Sequence, residues 1–154
     1  MITTVDTIKA LILEAGHGFV QYPQMIRAVD VFVFSKDFIE DDWNEFWRKW
    51  KFANDFVYEP GSGMCEEFAM EAIAKFLRSN RKRDPKANVT AGAFEVRMTI
   101  GKKPVNAVSD GGHDTILIAV TEDQKTITLY VWEPQNECWC KLADADCLLS
   151  DVFM

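Results

Sequence analysis

Apolar residues recur at helical spacing over residues 4–15, where Val5, Ile8, Leu11, Ile12 and Ala15 form one stripe before Gly16-His17-Gly18. Residues 29–34 are a short β-branched and aromatic run, read as extended. From Asp37 a second helical stripe passes through Ile39, Trp43, Phe46, Trp47 and Trp50, and Asp37 with Glu40 resembles a capping box. A connector at 58–61 leads to a third helix over 64–79. Its stripe is Phe68, Ala69, Ala72, Ile73, Phe76 and Leu77, with Cys65 one turn earlier on the same face. Asp84-Pro85-Lys86 breaks the pattern.

The second half changes period. Over 93–100, Phe94, Val96, Met98 and Ile100 alternate with Glu95, Arg97 and Thr99, as in a half-buried strand. Residues 114–121 are almost continuously apolar and read as a central strand. Residues 126–133 alternate again, and 138–142 form a last short strand. Helices first and antiparallel strands afterwards define an α+β chain, with N-terminal helices packed on a C-terminal sheet, in one domain over 1–154.

Composition narrows the function classes. At 154 residues and 48% hydrophobic content, with eleven Phe and five Trp, the chain is long enough for an aromatic core. A net charge of −7 argues against nucleic acid or an anionic membrane as partner. The basic cluster of Arg78 with Arg81-Lys82-Arg83 closes a helix, where positive charge suits the dipole. No apolar run reaches a membrane span and the N-terminus has no signal pattern. Four cysteines without an export signal therefore read as reduced thiols in a cytoplasmic protein, for which a homodimer is allowed.

The candidate chemistry centres on Cys65, where a glycine-rich turn enters a helix. Unpaired backbone N–H groups and the positive dipole end favour thiolate there. Of the two histidines, His17 reads as a solvated loop residue, whereas His113 stands at the mouth of the most buried strand. A three-residue turn over 122–124 pairs Thr121 with Lys125 and brings His113 opposite Glu133. Glu133 continues the face of Ile127, Leu129 and Val131, and a carboxylate there needs a partner. It would accept the Nδ1–H of His113 and fix the imidazole. Cys65 would then attack an acyl carbon to form a thioester, with its own backbone N–H as oxyanion donor and Gln135 or Gln21 as auxiliary amides.

The order of Cys65, His113 and Glu133 resembles the papain-like cysteine peptidases and their transglutaminase-like relatives. More narrowly, Cys65-Glu66-Glu67-Phe68-Ala69, Gly112-His113 and Trp132-Glu133-Pro134-Gln135 resemble the papain-like domain of Marasmius oreades agglutinin-type chimerolectins, here without a lectin domain. The resemblance implies a papain-like fold and a calcium-dependent cysteine peptidase. Its triad would be Cys65, His113 and Glu133, its calcium ligands Glu66 and Glu67, and its substrate a protein or peptide. Met64 departs from the Asp that often precedes the cysteine in that family. Asp110 and Asp114 flank the histidine, but Ca²⁺ takes six to eight oxygens and there is no EF-hand loop. First-turn carboxylates also stabilise a helix without any metal.

Competing readings stand beside this one. Cys65 can extend the apolar stripe of its helix as a small hydrophobe. Cys138, Cys140 and Cys147 have poor zinc spacing and read as core or surface thiols. The tryptophan-rich second helix reads as core, with Asp37, Glu40, Asp41 and Asp42 as its solvated entrance. At the level of the whole chain, the alternatives are a non-catalytic papain-fold binding or regulatory protein, a transglutaminase-like acyl transferase, and an interaction domain in which the three residues never meet.

Overall fold

The computed structural model describes residues 1–18, 20–23, 30–57, 64–83, 89–100 and 112–153. The connector at 58–61, the glycine-rich turn before Cys65, the break at 84–86, Asp110 and Gly111 lie outside the described residues.

The N-terminal pattern resolves into strand β1 (Ile2–Thr4) and helix α1 (Val5–Glu14). Thr4 is extended and its Oγ1 accepts from the Thr7 N–H, which fixes the helix start. The 29–34 run is two strands, β2 (Asp30–Phe32) and β3 (Phe34–Ser35). A π-helical stretch, Phe38–Trp43, then runs into α2 (Asn44–Ala53). Asp37 does not cap it: its backbone is already helical and its side chain makes no cap bond, while Ser35 Oγ accepts from the Phe38 N–H at 3.3 Å. Helix α3 (Met64–Arg83) follows.

The strands after it are β4 (Val89–Ala91), β5 (Ala93–Ile100), β6 (Gly112–Thr121), β7 (Thr128–Trp132), β8 (Trp139–Lys141) and β9 (Cys147–Phe153). A small sheet has the order β1-β2-β4, with β2 and β4 parallel. The large sheet runs β8-β7-β6-β5-β9, and β3 pairs with β6 in parallel beyond the start of β5. Gly92 is where the chain leaves the small sheet for the large one. Its N–H donates to Phe32 O at 2.8 Å, and its carbonyl accepts from the Ala119 N–H at 2.7 Å.

Strand β6 is buried on both faces, which explains its continuous apolar run. Leu117 and Ala119 join Ile8 and Ile12 of α1 in one core. Ile116, Ile118 and Val120 join Trp47 of α2 and Phe68, Ala72 and Phe76 of α3 in the other. Trp47, Trp132 and Phe76 are fully buried there. The large sheet is thus a central layer between α1 and the α2–α3 pair.

This corrects the expected arrangement of N-terminal helices followed by a C-terminal antiparallel sheet. Nine strands stand against three α-helices among the described residues, and strands β1 to β3 interleave with the first two helices. Two of the pairings are parallel. Strands β1 and β4 escape a sequence reading because they are three residues long, too short to show a period, and the same brevity hides that the extended 29–34 run divides into β2 and β3. Strand β9 was missed for another reason: its bulge, a register shift between Arg97 and Met98 on β5, breaks the alternation that would reveal it.

Two local readings also change. His17 is buried, and its Nδ1 accepts from the Leu149 N–H of β9 at 3.2 Å, so it ties the α1 exit to the sheet edge rather than facing solvent. In register, the β6–β7 turn is five residues, 122–126, rather than three, because Val120 pairs with Thr128 and so places Thr121 opposite Ile127. Asp123 shapes it: hydrogen bonds from the Thr126 and Lys125 N–H groups hold its carboxyl down to about 2. The register therefore slides by two residues. A slide of two keeps every side chain on its face, so Glu133 becomes a diagonal neighbour of His113.

Candidate functional site

Helix α2 sets the turn that carries Glu133. Along one stripe of α2, the Trp47 Nε1–H donates to Pro134 O at 2.6 Å, and Lys51 Nζ donates to Gln135 O at 2.7 Å. Lys51 also pairs with Glu137 at 2.6 Å, with both side chains largely buried. The turn closes on itself through Glu137 N–H to Glu133 O and Glu133 N–H to Cys138 O. Glu133 is thereby held at the end of β7 beside the start of β6.

There, His113 Nε2 and Glu133 Oε2 approach to 2.5 Å, and Glu133 Oε1 accepts from the Gln135 N–H at 3.2 Å. The nitrogen facing the carboxylate is Nε2, not the expected Nδ1. The hydrogen bond to Glu133 raises the His113 pKa above the ordinary 6.5, against desolvation; the charges of Glu133 and Asp114 add to the rise. The pair thus favours imidazolium more than a free histidine does.

A sign follows for stability. The contribution of this pair is fully present below pH ~6.5 and is lost as pH rises through the elevated folded pKa. We expect the His113 imidazole resonances to titrate above the ordinary value in wild type and to move down in Glu133→Gln. The loss of thermal stability on the alkaline side should flatten in the same variant. A wild-type His113 titrating at or below 6.5 would remove the pair from this account.

Cys65 lies half-buried in the first turn of α3, and among the described residues no hydrogen bond joins it to His113 or Glu133. Gln135 acts through its backbone, between Glu133 and Lys51. Gln21 is remote from both, since its N–H and C=O bind Ser150 and Val152 on β9, at one edge of the sheet. Cys147 is core, while Cys138 and Cys140 are exposed.

The expected calcium ligands lie in the first turn of α3. Glu66 and Glu67 are exposed at consecutive positions, about 100° apart around the helix. Asp114 is buried and engaged by Arg97, whose Nε lies 3.2 Å from Oδ1. Glu95, on the neighbouring strand, has its pKa raised by burial and by the charges of Asp114 and Glu66. Among the described residues no group of three or more His, Cys, Asp or Glu side chains converges to hold a metal ion.

A second feature is concave. A cavity of about 500 Å³ opens between the π-helical stretch, α2 and α3, lined by Phe38, Asp42, Trp43, Phe46, Trp50, Lys75, Arg78 and Ser79. Phe46 is about half exposed at 47% and leans on Trp43 with ring centroids 5.7 Å apart. Lys75 Nζ sits 3.6 Å above the Trp50 ring and 2.7 Å from Glu71. The Trp43 indole N–H is buried and has no acceptor among the described residues. The sequence assigns this tryptophan stripe to the core: Ile39, Trp43 and Trp47 are buried in it and Trp50 packs against it half-buried, while Phe46 is exposed. The signal that assignment passes over is breadth: Asp42, Trp43, Phe46 and Trp50 cover more of the helix surface than one core-facing stripe needs.

No family model and no curated protein matches the chain. Solved structures do. The PSL1a–E64 complex matches with a TM-score of 0.69 at 14% identity, covering 99% of this chain and 51% of the other. Polyporus squamosus lectin bound to the human-type influenza-binding epitope Neu5Aca2-6Galb1-4GlcNAc matches with the same TM-score and identity, over 99% and 49%. The chain therefore shares a fold with these structures and spans about half the length of each.

These matches correct the sequence-based assignment. Of the structures that share the fold, one is the PSL1a–E64 complex and one is a lectin bound to a glycan. The peptidase and hydrolase readings, the Cys-His-Glu thioester mechanism and the transglutaminase-like alternative are withdrawn with that assignment. Locally, His113 and Glu133 satisfy one another, and no hydrogen bond among the described residues brings the thiol into that pair. As to membranes, no described helix is long and apolar enough to cross one.

Proposed function

We propose that this chain is a binding module for carbohydrate, and that the aromatic cavity between α2 and α3 seats a sugar ring. The observation that carries it is the composition of that cavity. Phe46 offers an exposed apolar face, Phe38 and Trp50 stand half-buried beside it over the buried Trp43, and Asp42, Lys75, Arg78 and Ser79 add polar groups. A pyranose has the same duality, with C–H faces that pack on aromatic rings and hydroxyls that need directed partners. Cavities of this size and lining are the usual form of a small-ligand site. The glycan carried by the matched lectin structure points to the same ligand class.

Within this reading, the His113–Glu133 pair and the Lys51–Glu137 pair hold the β7–β8 turn against α2, which forms one wall of the cavity. Titration calorimetry against N-acetyllactosamine-type glycans tests the proposal. Saturable binding is expected, with Phe46→Ala weakening it about tenfold, or about 1.4 kcal/mol. Phe46 is exposed enough for that variant to fold. No saturable binding by the folded wild-type protein across the glycan panel would overturn the proposal.

A further inference from the structure

We propose that Cys138 and Cys140 are a reversible dithiol–disulfide pair at the edge of the large sheet, oxidised by a low-molecular-weight disulfide, and that closing the bond frees β8 from β7. Both thiols are exposed, and β8 is the strand that ends the sheet. Val131 pairs with Cys140 and Trp132 with Trp139. The Glu133 N–H donates to Cys138 O at 2.9 Å, which carries the ladder one residue beyond Trp139. Alternation along this stretch puts the two sulfurs on one face. Trp139 between them turns to the other face, where its ring centroid lies 4.4 Å from that of Tyr130.

This arrangement keeps the thiols close but unjoined. A strand advances about 3.2–3.4 Å per residue, so β-carbons two positions apart on one face stand roughly 6.5–7 Å from each other. A disulfide needs them at about 3.5–4.5 Å. The bond closes only if the chain bends at Trp139. That bend competes with the Val131–Cys140 pairing and with the packing of Trp139 on Tyr130. Little holds β8 against it: the strand is three residues long, and among the described residues no strand pairs with its outer edge. Its flanks are anchored by the Lys51–Glu137 ion pair before it and by buried Leu142 after it, so the opening stays local.

The exchange balances in two steps. The Cys138 thiol loses its proton and attacks one sulfur of the small disulfide, forming a mixed disulfide and releasing a small thiolate that takes up a proton. Cys140 then loses its proton and attacks the Cys138 sulfur, expelling the second small thiol. The protein gives up two hydrogens, and one disulfide becomes two thiols. Desolvation and the charge of Asp144 push the Cys140 thiol up, which keeps it protonated during the first step and leaves it to the second.

The test equilibrates the full chain with mixtures of oxidised and reduced glutathione, followed by acid quenching and alkylation. Cleavage after Lys125 and Lys141 releases residues 126–141, which contain Cys138 and Cys140 and no other cysteine. Under oxidising mixtures this peptide should lose two hydrogens and carry neither glutathione nor alkyl group, and dithiothreitol should reverse the change. Amide hydrogen exchange over 130–132 and 139–141 should quicken about tenfold or more in the oxidised protein, while β5 and the centre of β6 stay protected. Cys138→Ser and Cys140→Ser should each stop at a single glutathione adduct and keep the exchange of the reduced wild type. A wild-type peptide that carries only glutathione adducts, or stays unmodified in oxidised glutathione alone, overturns the dithiol pair. An internal disulfide with unchanged exchange over β8 overturns its coupling to the sheet edge.

Discussion

Gly92→Ala is expected to be among the most damaging single-methyl additions in this protein, lowering unfolding free energy by about 3–5 kcal/mol. A Cβ at this position would stand 2.5 Å from Phe32 O, a backbone atom that cannot swing aside, and 3.2–3.3 Å from Ala119 Cβ and Val31 Cγ1. Relief requires β2 or β6 to move. Both are tied to Gly92 by short hydrogen bonds, Gly92 N–H to Phe32 O and Ala119 N–H to Gly92 O. Overpacking in a dense core costs about 1–3 kcal/mol, and each strained or lost hydrogen bond adds about 0.5–1.5. The sum is a large share of the roughly 5–15 kcal/mol available to a typical domain. Gly92 is not among the glycines with positive φ, so the requirement is space and not conformational freedom. Urea denaturation of the alanine variant checks this. A midpoint unchanged within error would mean that the two sheets are not clamped at Gly92.

Trp132→Ala is the second large effect, at about 4 kcal/mol or more. Trp132 is fully buried on β7, with ring centroids 5.7 Å from Trp43 and 5.9 Å from both Trp47 and Phe76. Its Nε1–H donates to Asn44 Oδ1 at 2.8 Å, joining the first residue of α2 to the sheet. Truncating a buried tryptophan costs about 3–5 kcal/mol for lost packing and the cavity left behind. The orphaned Asn44 acceptor adds about 1–3. Trp132→Phe separates the two parts, because it keeps much of the packing and loses the hydrogen bond. Since Trp43 and Trp50 line the aromatic cavity and stack within the same cluster, sugar binding should weaken in Trp132→Ala even at temperatures where it stays folded. Full ligand affinity in a folded Trp132→Ala protein would uncouple the cavity from this core.

Much of the local structure was legible in the order of residues. The alternation of Phe94, Val96 and Met98 against Glu95 and Arg97 is strand β5, and its apolar row is one wall of the α1 core. The stripe Phe68, Ala69, Ala72 and Phe76 is the buried face of α3. The closeness of His113 and Glu133 was legible because strand alternation preserves faces even when the turn length is misjudged by an even number. Charge and apolar periodicity act over a few residues, and the sequence carries them directly.

Other features depended on contacts between distant segments. The parallel pairings of β2 with β4 and β3 with β6 join residues with no shared local pattern, and a two-residue strand leaves no period to read. His17 binds Leu149 across 132 positions, so its burial is invisible in Gly16-His17-Gly18. The place of Cys65 depended on how α3 lies on the sheet, and the thiol's position in a favourable helix turn could not supply that contact. Most of all, the aromatic stripe of α2 was compatible with either a core or a binding surface. Hydrophobic patterning determined that those residues share one side of a helix. Only tertiary packing decided that Trp47 is sealed beneath the sheet while Phe46 and Trp50 line an opening, because burial depends on what the next layer covers.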